Sequence, residues 1–143
     1  MTRLTRGRQG GGLLTVALAI ALLVGCAAEA PEVTMRLDIR DGVLRDAGSD
    51  CGGGGAFRPL HPTAEYEVVS PAGDVVSSGE LPQGTAEKSF APDFGELTEP
   101  TACRMEFAVR GVSSLDRFFL RVEGHPDILI LDSADDPPTA VVP

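Results

Sequence analysis

The chain has 143 residues, with 21 Asp and Glu against 12 Lys and Arg, a formal charge of −9, no Trp and a single Tyr. That balance repels phosphate backbones, and there is no basic stripe or aromatic platform, so nucleic acid is not an expected partner. The length suits one small domain.

At the N-terminus Arg3, Arg6 and Arg8 precede an apolar run, Leu13 to Val24, interrupted only by Thr15. A membrane-spanning helix needs about 20 apolar residues, whereas a secretory h-region needs roughly 7 to 15, so residues 1–25 read as a signal peptide. The run ends Leu23-Val24-Gly25-Cys26, which resembles the bacterial lipobox. The resemblance implies cleavage before Cys26 and a thioether-linked diacylglyceryl group on its sulfur. Two acyl chains, each gaining about 0.8 kcal/mol per buried CH₂, anchor a protein stably. The expected location is therefore the extracytoplasmic face of the cell membrane, with residues 26–31 as a lipidated tether.

From Cys26 onward the chain keeps all 21 acidic residues but only 9 of the 12 basic ones, a formal charge of −12. Cys51 and Cys103 remain, and in an exported chain the default is that they pair. A metal or redox pair would call for CxxC spacing or a nearby histidine, and neither is present.

Residues 32–135 show period-two alternation. Val33, Met35, Leu37 and Ile39 alternate with Thr34, Arg36, Asp38 and Arg40, the pattern of a half-buried strand, which Asp41-Gly42 breaks. A glycine-rich loop, residues 46 to 55, follows. Ala64, Tyr66 and Val68 alternate with Glu65 and Glu67, and Ser70-Pro71-Ala72-Gly73-Asp74 supplies turn chemistry, so residues 64 to 78 predict a hairpin. One short strand is expected near Lys88 to Phe90, within a polar stretch that reaches Pro100. Cys103, Met105, Phe107 and Val109 then face one side, with Arg104, Glu106 and Arg110 on the other. Phe118, Leu120 and Val122 form the next strand, and Ile128 to Leu131 a last apolar run. About seven short strands without a helical stripe predict an all-β fold, a small antiparallel β-sandwich with one disulfide. The tail, residues 136–143, is expected to be disordered.

The run Cys51-Gly52-Gly53-Gly54-Gly55-Ala56-Phe57, the Ala64 to Val76 hairpin, Gly79-Glu80-Leu81, the strand headed by Cys103, and Phe118-Phe119-Leu120-Arg121-Val122 together look like small exported actinobacterial lipoproteins. That resemblance implies a secreted β-domain of unassigned function. It brings no catalytic residues, because its motifs are structural.

Chemistry-bearing motifs are sparse. The CGGGG run lacks the lysine and the helix of a phosphate-cradling loop and reads as a tight turn beside a half-cystine. His61 and His125 each precede proline, Ser113-Ser114 has no nucleophile-elbow frame, and no HExxH or GxSxG motif occurs, so catalytic residues and cofactors are not expected. Asp132, Asp135 and Asp136 after the last strand, and Asp41, Asp46 and Asp50 around the glycine loop, are weak calcium candidates without EF-hand spacing. The leading expectation is a lipid-anchored, non-catalytic binding or accessory module. Its partner would be another envelope protein or a small apolar ligand. A structural surface lipoprotein without a ligand and an unrecognised envelope hydrolase are the alternatives. If the lipobox reading holds, Cys26→Ala releases the domain from the membrane fraction or leaves it uncleaved; a variant still cleaved and membrane-bound would refute the anchor.

Overall fold

The computed structural model describes residues 30–89, 100–132, 134 and 136–143. The expected signal peptide, Cys26, most of the expected tether, Phe90, the acidic stretch around Asp93 to Glu99, and Asp135 lie outside the described residues. The described part is all-β: β1 Glu32–Ile39, β2 Asp50–Cys51, β3 Glu65–Val69, β4 Val75–Glu80, β5 Gly84–Lys88, β6 Thr101–Arg110, β7 Phe119–Val122, β8 Ile128–Leu131 and β9 Thr139–Val142. A single 3-10 turn at Gly55–Phe57 is its only helical element.

The nine strands form one curled, mixed sheet of order β2-β5-β6-β1-β9-β8-β7-β3-β4. About seven were expected; β2, inside the glycine-rich segment, and β9 are additional, and in place of the strand expected near Lys88 to Phe90 the chain forms β5 over Gly84–Lys88, overlapping it at Lys88 alone. Every strand pair is antiparallel except β1 with β9, where Arg36 to Ile39 run beside Thr139 to Val142. β8 acts as the corner. Its first two residues pair with β7 and its last two with β9, so the ladder changes partner along one strand and the sheet can turn.

Alternation decides which face each strand buries. Met35, Leu37 and Ile39 of β1 are fully buried, as are Cys103, Met105 and Val109 of β6 directly across from it. Val68, Leu120 and Ile130 join them from β3, β7 and β8 in a single cluster, so the two halves of the curled sheet enclose one core. Tyr66 of β3 and Phe107 of β6 meet across it with ring centroids 4.7 Å apart. The apolar run Ile128 to Leu131 resolves into the same pattern, Ile128 and Ile130 inward and Leu129 and Leu131 outward. The expected hairpin is present, with Ser70 N–H donating to the Asp74 carbonyl and Gly73 at positive φ.

The expectation of a loose tail from residue 136 is corrected. Ala140 and Val142 are buried, and the Arg36 and Arg40 N–H groups donate to the carbonyls of Pro138 and Val142, each at 2.9 Å. β9 thus fills the slot between β1 and β8, and without it both strands would present open edges to water. Deleting residues 139–143 removes the burial of Val142, about 1.5–3 kcal/mol, together with ladder bonds, so stability in a denaturant titration should fall by about 3 kcal/mol. A loose tail would lose nothing measurable.

Candidate functional site

Two polar assemblies stand out from the packed core. The first explains the glycine run. Asp41 follows β1 by two residues, and its side chain is 0% exposed. Arg45 grips it from both guanidinium ends, Nη1 to Oδ1 at 2.9 Å and Nη2 to Oδ2 at 2.5 Å. The N–H of Gly54 donates to Oδ2 at 2.8 Å and that of Val43 to Oδ1 at 3.2 Å. Arg45 also donates to the Gly52 carbonyl at 3.0 Å, and buried Thr101 gives its hydroxyl proton to Val43. Burial raises the Asp41 carboxyl, but the Arg45 guanidinium and the two N–H groups outweigh it and hold the carboxyl below its ordinary range. The loop wraps this ion pair closely, and at Gly53 a Cβ would run into the backbone carbonyl of Phe57. The glycines are there for fit, not for phosphate.

Next to this node, Cys51 and Cys103 form a disulfide across 52 positions. The entropy model values a loop of this length at about 4 kcal/mol. Gly84 lies beneath it. A Cβ at that position would sit 2.5 Å from Cys103 Sγ and 3.0 Å from the Cys51 carbonyl oxygen, so β5 reaches the bridge only with a bare backbone.

The second assembly lies on the outer face of β3, β4 and β7. Here Glu65, Glu67, Ser78, Glu80, Arg121 and Glu123 line an open groove of about 620 Å³ whose floor includes Tyr66 and Gly79. Strand register builds it. Glu65 lies directly across from Glu80, and Glu67 lies between Ser78 and Arg121. Arg121 is the one cation in the lining, and it leans out of it: Nη2 and Nε donate to Asp127 at 2.8 and 3.0 Å, while Nη1 sits 3.6 Å from Glu67. Hydrogen bonding to Arg121 lowers the Asp127 carboxyl. Among the described residues, Glu65, Glu80 and Glu123 form no ion pair.

The outer face of β5, β6 and β1 is arranged differently. Glu32 pairs with Arg110, Arg36 with Glu106 and Asp38 with Arg104, each pair in register across β1 and β6, and Arg104 also reaches Glu87 of β5. One face is charge-balanced and the other carries surplus carboxylates.

The residues singled out from the sequence are scattered. His61 and His125 each turn Nδ1 onto the carbonyl of the following proline, at 2.8 and 2.7 Å, and neither lines the groove. Ser113 is exposed, and Ser114 donates to Asp132 at 3.3 Å. Asp41 is committed to Arg45, Asp50 sits in β2 opposite Thr85, and the Asp46 carbonyl takes the N–H and hydroxyl of Ser49. Among the described residues no group of three or more His, Cys, Asp or Glu is placed to hold a metal ion. The groove was not read from the sequence. Its signal, alternating glutamates in residues 65 to 67 and again Arg121 and Glu123, becomes a site only once β7 pairs with β3 across more than fifty residues.

The chain matches no protein-family model, and no curated protein or solved structure is significantly similar to it.

Replacing Asp41 tests the polar node. Asp41→Asn leaves Arg45 partly buried without its counter-charge and should cost about 3 kcal/mol or more near neutral pH. Because the folded carboxyl lies below its unfolded value of about 3.9, its contribution is complete above that pH and is lost as pH falls through the folded value. The stability gap between wild type and Asp41→Asn, measured by urea titration, should therefore narrow below about pH 4; a constant gap would show that the charge is not the cause.

Proposed function

We propose that the protein is a lipid-anchored, non-catalytic binding module of the cell envelope. Cys26 holds it at the extracytoplasmic face of the membrane, and it engages another envelope protein through the groove on β3, β4 and β7. We read the two halves of the curled sheet as the facing layers of a small β-sandwich joined through β8, and the chain as akin to the exported actinobacterial lipoproteins it resembles.

The observation that carries this reading is the contrast between the two outer faces. In-register pairing of Glu32, Arg36 and Asp38 with Arg110, Glu106 and Arg104 satisfies one face. The groove collects Glu65, Glu80 and Glu123, which form no ion pair among the described residues. Like charges directly opposite on a sheet, such as Glu65 and Glu80, are mildly destabilising, so their placement favours a partner that brings positive charge. An apolar ligand inside the domain is less favoured, because core-facing side chains from eight strands pack there into one cluster.

A photo-activated cross-linker at position 123, in cells producing the full chain, should trap one recurrent envelope protein, identifiable by mass spectrometry. The same cross-linker at position 106, on the balanced face, should not. Equal capture at both positions, or none at either, would defeat the reading. The intact mass of the membrane-fraction protein without reductant tests the anchor separately, since it should begin at Cys26 and carry a diacylglyceryl group.

A further inference from the structure

The sheet has two edges, and they are treated differently. β2, at one end, is two residues long, and so short a strand offers little to pair with. β4, at the other end, runs for six residues, Val75-Val76-Ser77-Ser78-Gly79-Glu80, about 20 Å of strand. It contains neither lysine nor proline, the residues that most often blunt an edge, and Val75 at its head is 51% exposed. Among the described residues only β3 pairs with it.

The direction of its free groups follows from one bond. Leu81 N–H donates to the Ala64 carbonyl at 2.8 Å, so it points toward β3. In an antiparallel ladder this direction alternates, so Gly79 also points toward β3, while Ser78 and Glu80 turn N–H and C=O outward from the sheet. The side chains of those same two residues line the acidic groove. The unpaired backbone and the surplus negative charge therefore belong to one strip of surface.

We propose that the β4 edge takes an extended, basic segment of a partner protein as a tenth strand. Its backbone pairs with Ser78 and Glu80, and its Lys or Arg side chains at alternate positions lie over Glu80 of β4 and Glu65 of β3, the two strands nearest to it. Strand addition of this kind draws affinity from main-chain bonds and specificity from alternate side chains. A second copy of this chain is a poor occupant, because pairing β4 with β4 would bring two sets of these carboxylates together. The proposal rests on the binding-module reading and names the chemistry of its partner.

The test uses the full chain in neutral detergent micelles at roughly 0.15 M salt. The probe is a fluorescent nine-residue peptide of alternating Lys and Val with blocked ends, and binding is read by anisotropy. Two changes address the backbone. Ser78→Pro removes an outward N–H without touching the β3 ladder, as proline is tolerated on edge strands. N-methylation of alternate peptide amides, used against the wild-type chain, removes the same bonds without any change to the protein. Either should weaken binding by roughly tenfold or more, and Glu80→Gln with Glu65→Gln should weaken it by several-fold. A peptide with Glu in place of Lys should not bind.

Absence of binding by the Lys-Val peptide would overturn the proposal, as would binding indifferent to both backbone changes, which would be charge adhesion alone. A dimer of the chain formed through β4 would also overturn it. In cells, a cross-link at position 123 that survives Ser78→Pro would refute strand addition while leaving the binding module intact, whereas no cross-link in the wild type would refute the module itself.

Discussion

The Cys51–Cys103 bridge is the constraint on which the rest of the domain leans. Cys103 lies in β6 between Ile39 of β1 and Ala86 of β5, and Cys51 lies opposite Gly84 of β5. The bridge therefore fastens the short edge strand β2 to β6, two strands further into the sheet. It also fixes the start of the glycine loop, and so brings Gly52 and Gly54 to where Arg45 and Asp41 can bind them. A small domain with few aromatic residues buries too little apolar surface to order such a loop by packing alone. Covalent closure and a buried ion pair do so together. A buried pair is stabilising only where its geometry is held for it, and the bridge fixes the start of the loop that surrounds this one.

Charge is the second organising feature, and it is distributed by register. On β1 and β6 the antiparallel pairing sets opposite charges across from each other at three positions, so these charges are balanced within the face. On β3 and β4 the same geometry sets Glu65 against Glu80. A net charge read from composition cannot distinguish these two arrangements, although one is self-satisfied and the other is not. The unsatisfied face lies beside the longer edge of the sheet, and the proposed strand addition rests on that juxtaposition.

How much was legible in the sequence follows from the range of each interaction. The run from Val33 to Ile39 announces β1 because period-two alternation is local, and the turn at Ser70 to Asp74 announces the β3–β4 hairpin for the same reason. Pairing of Cys51 with Cys103 was legible from compartment logic, without geometry. β9 was not, because Thr139 to Val142 is short and follows two prolines; only its parallel slot beside β1, a hundred residues away, makes it a strand. Asp41 was read as a turn residue and weak cation ligand. Its partner Arg45 is near in sequence, but Gly54 and Thr101, which complete the node, are not. The groove was hidden for the same reason, as β7 comes to β3 only through the fold.

Strand direction relates the groove to the proposed anchor. β1 begins at Glu32, directly after the tether, and runs away from it. β9 is parallel to β1, and antiparallel steps through β8 to β7 and through β3 to β4 give β7 and β4 the direction of β1 and β3 the opposite one. Glu80 ends β4, Glu123 follows the end of β7, and Glu65 begins β3. In strand direction all three carboxylates thus belong to the end of the sheet opposite the tether. A cluster of negative charge held close to an anionic membrane surface would be repelled by it. On the proposed anchoring through Cys26, that charge would lie at the end of the domain away from the membrane, the side from which the proposed basic segment would approach.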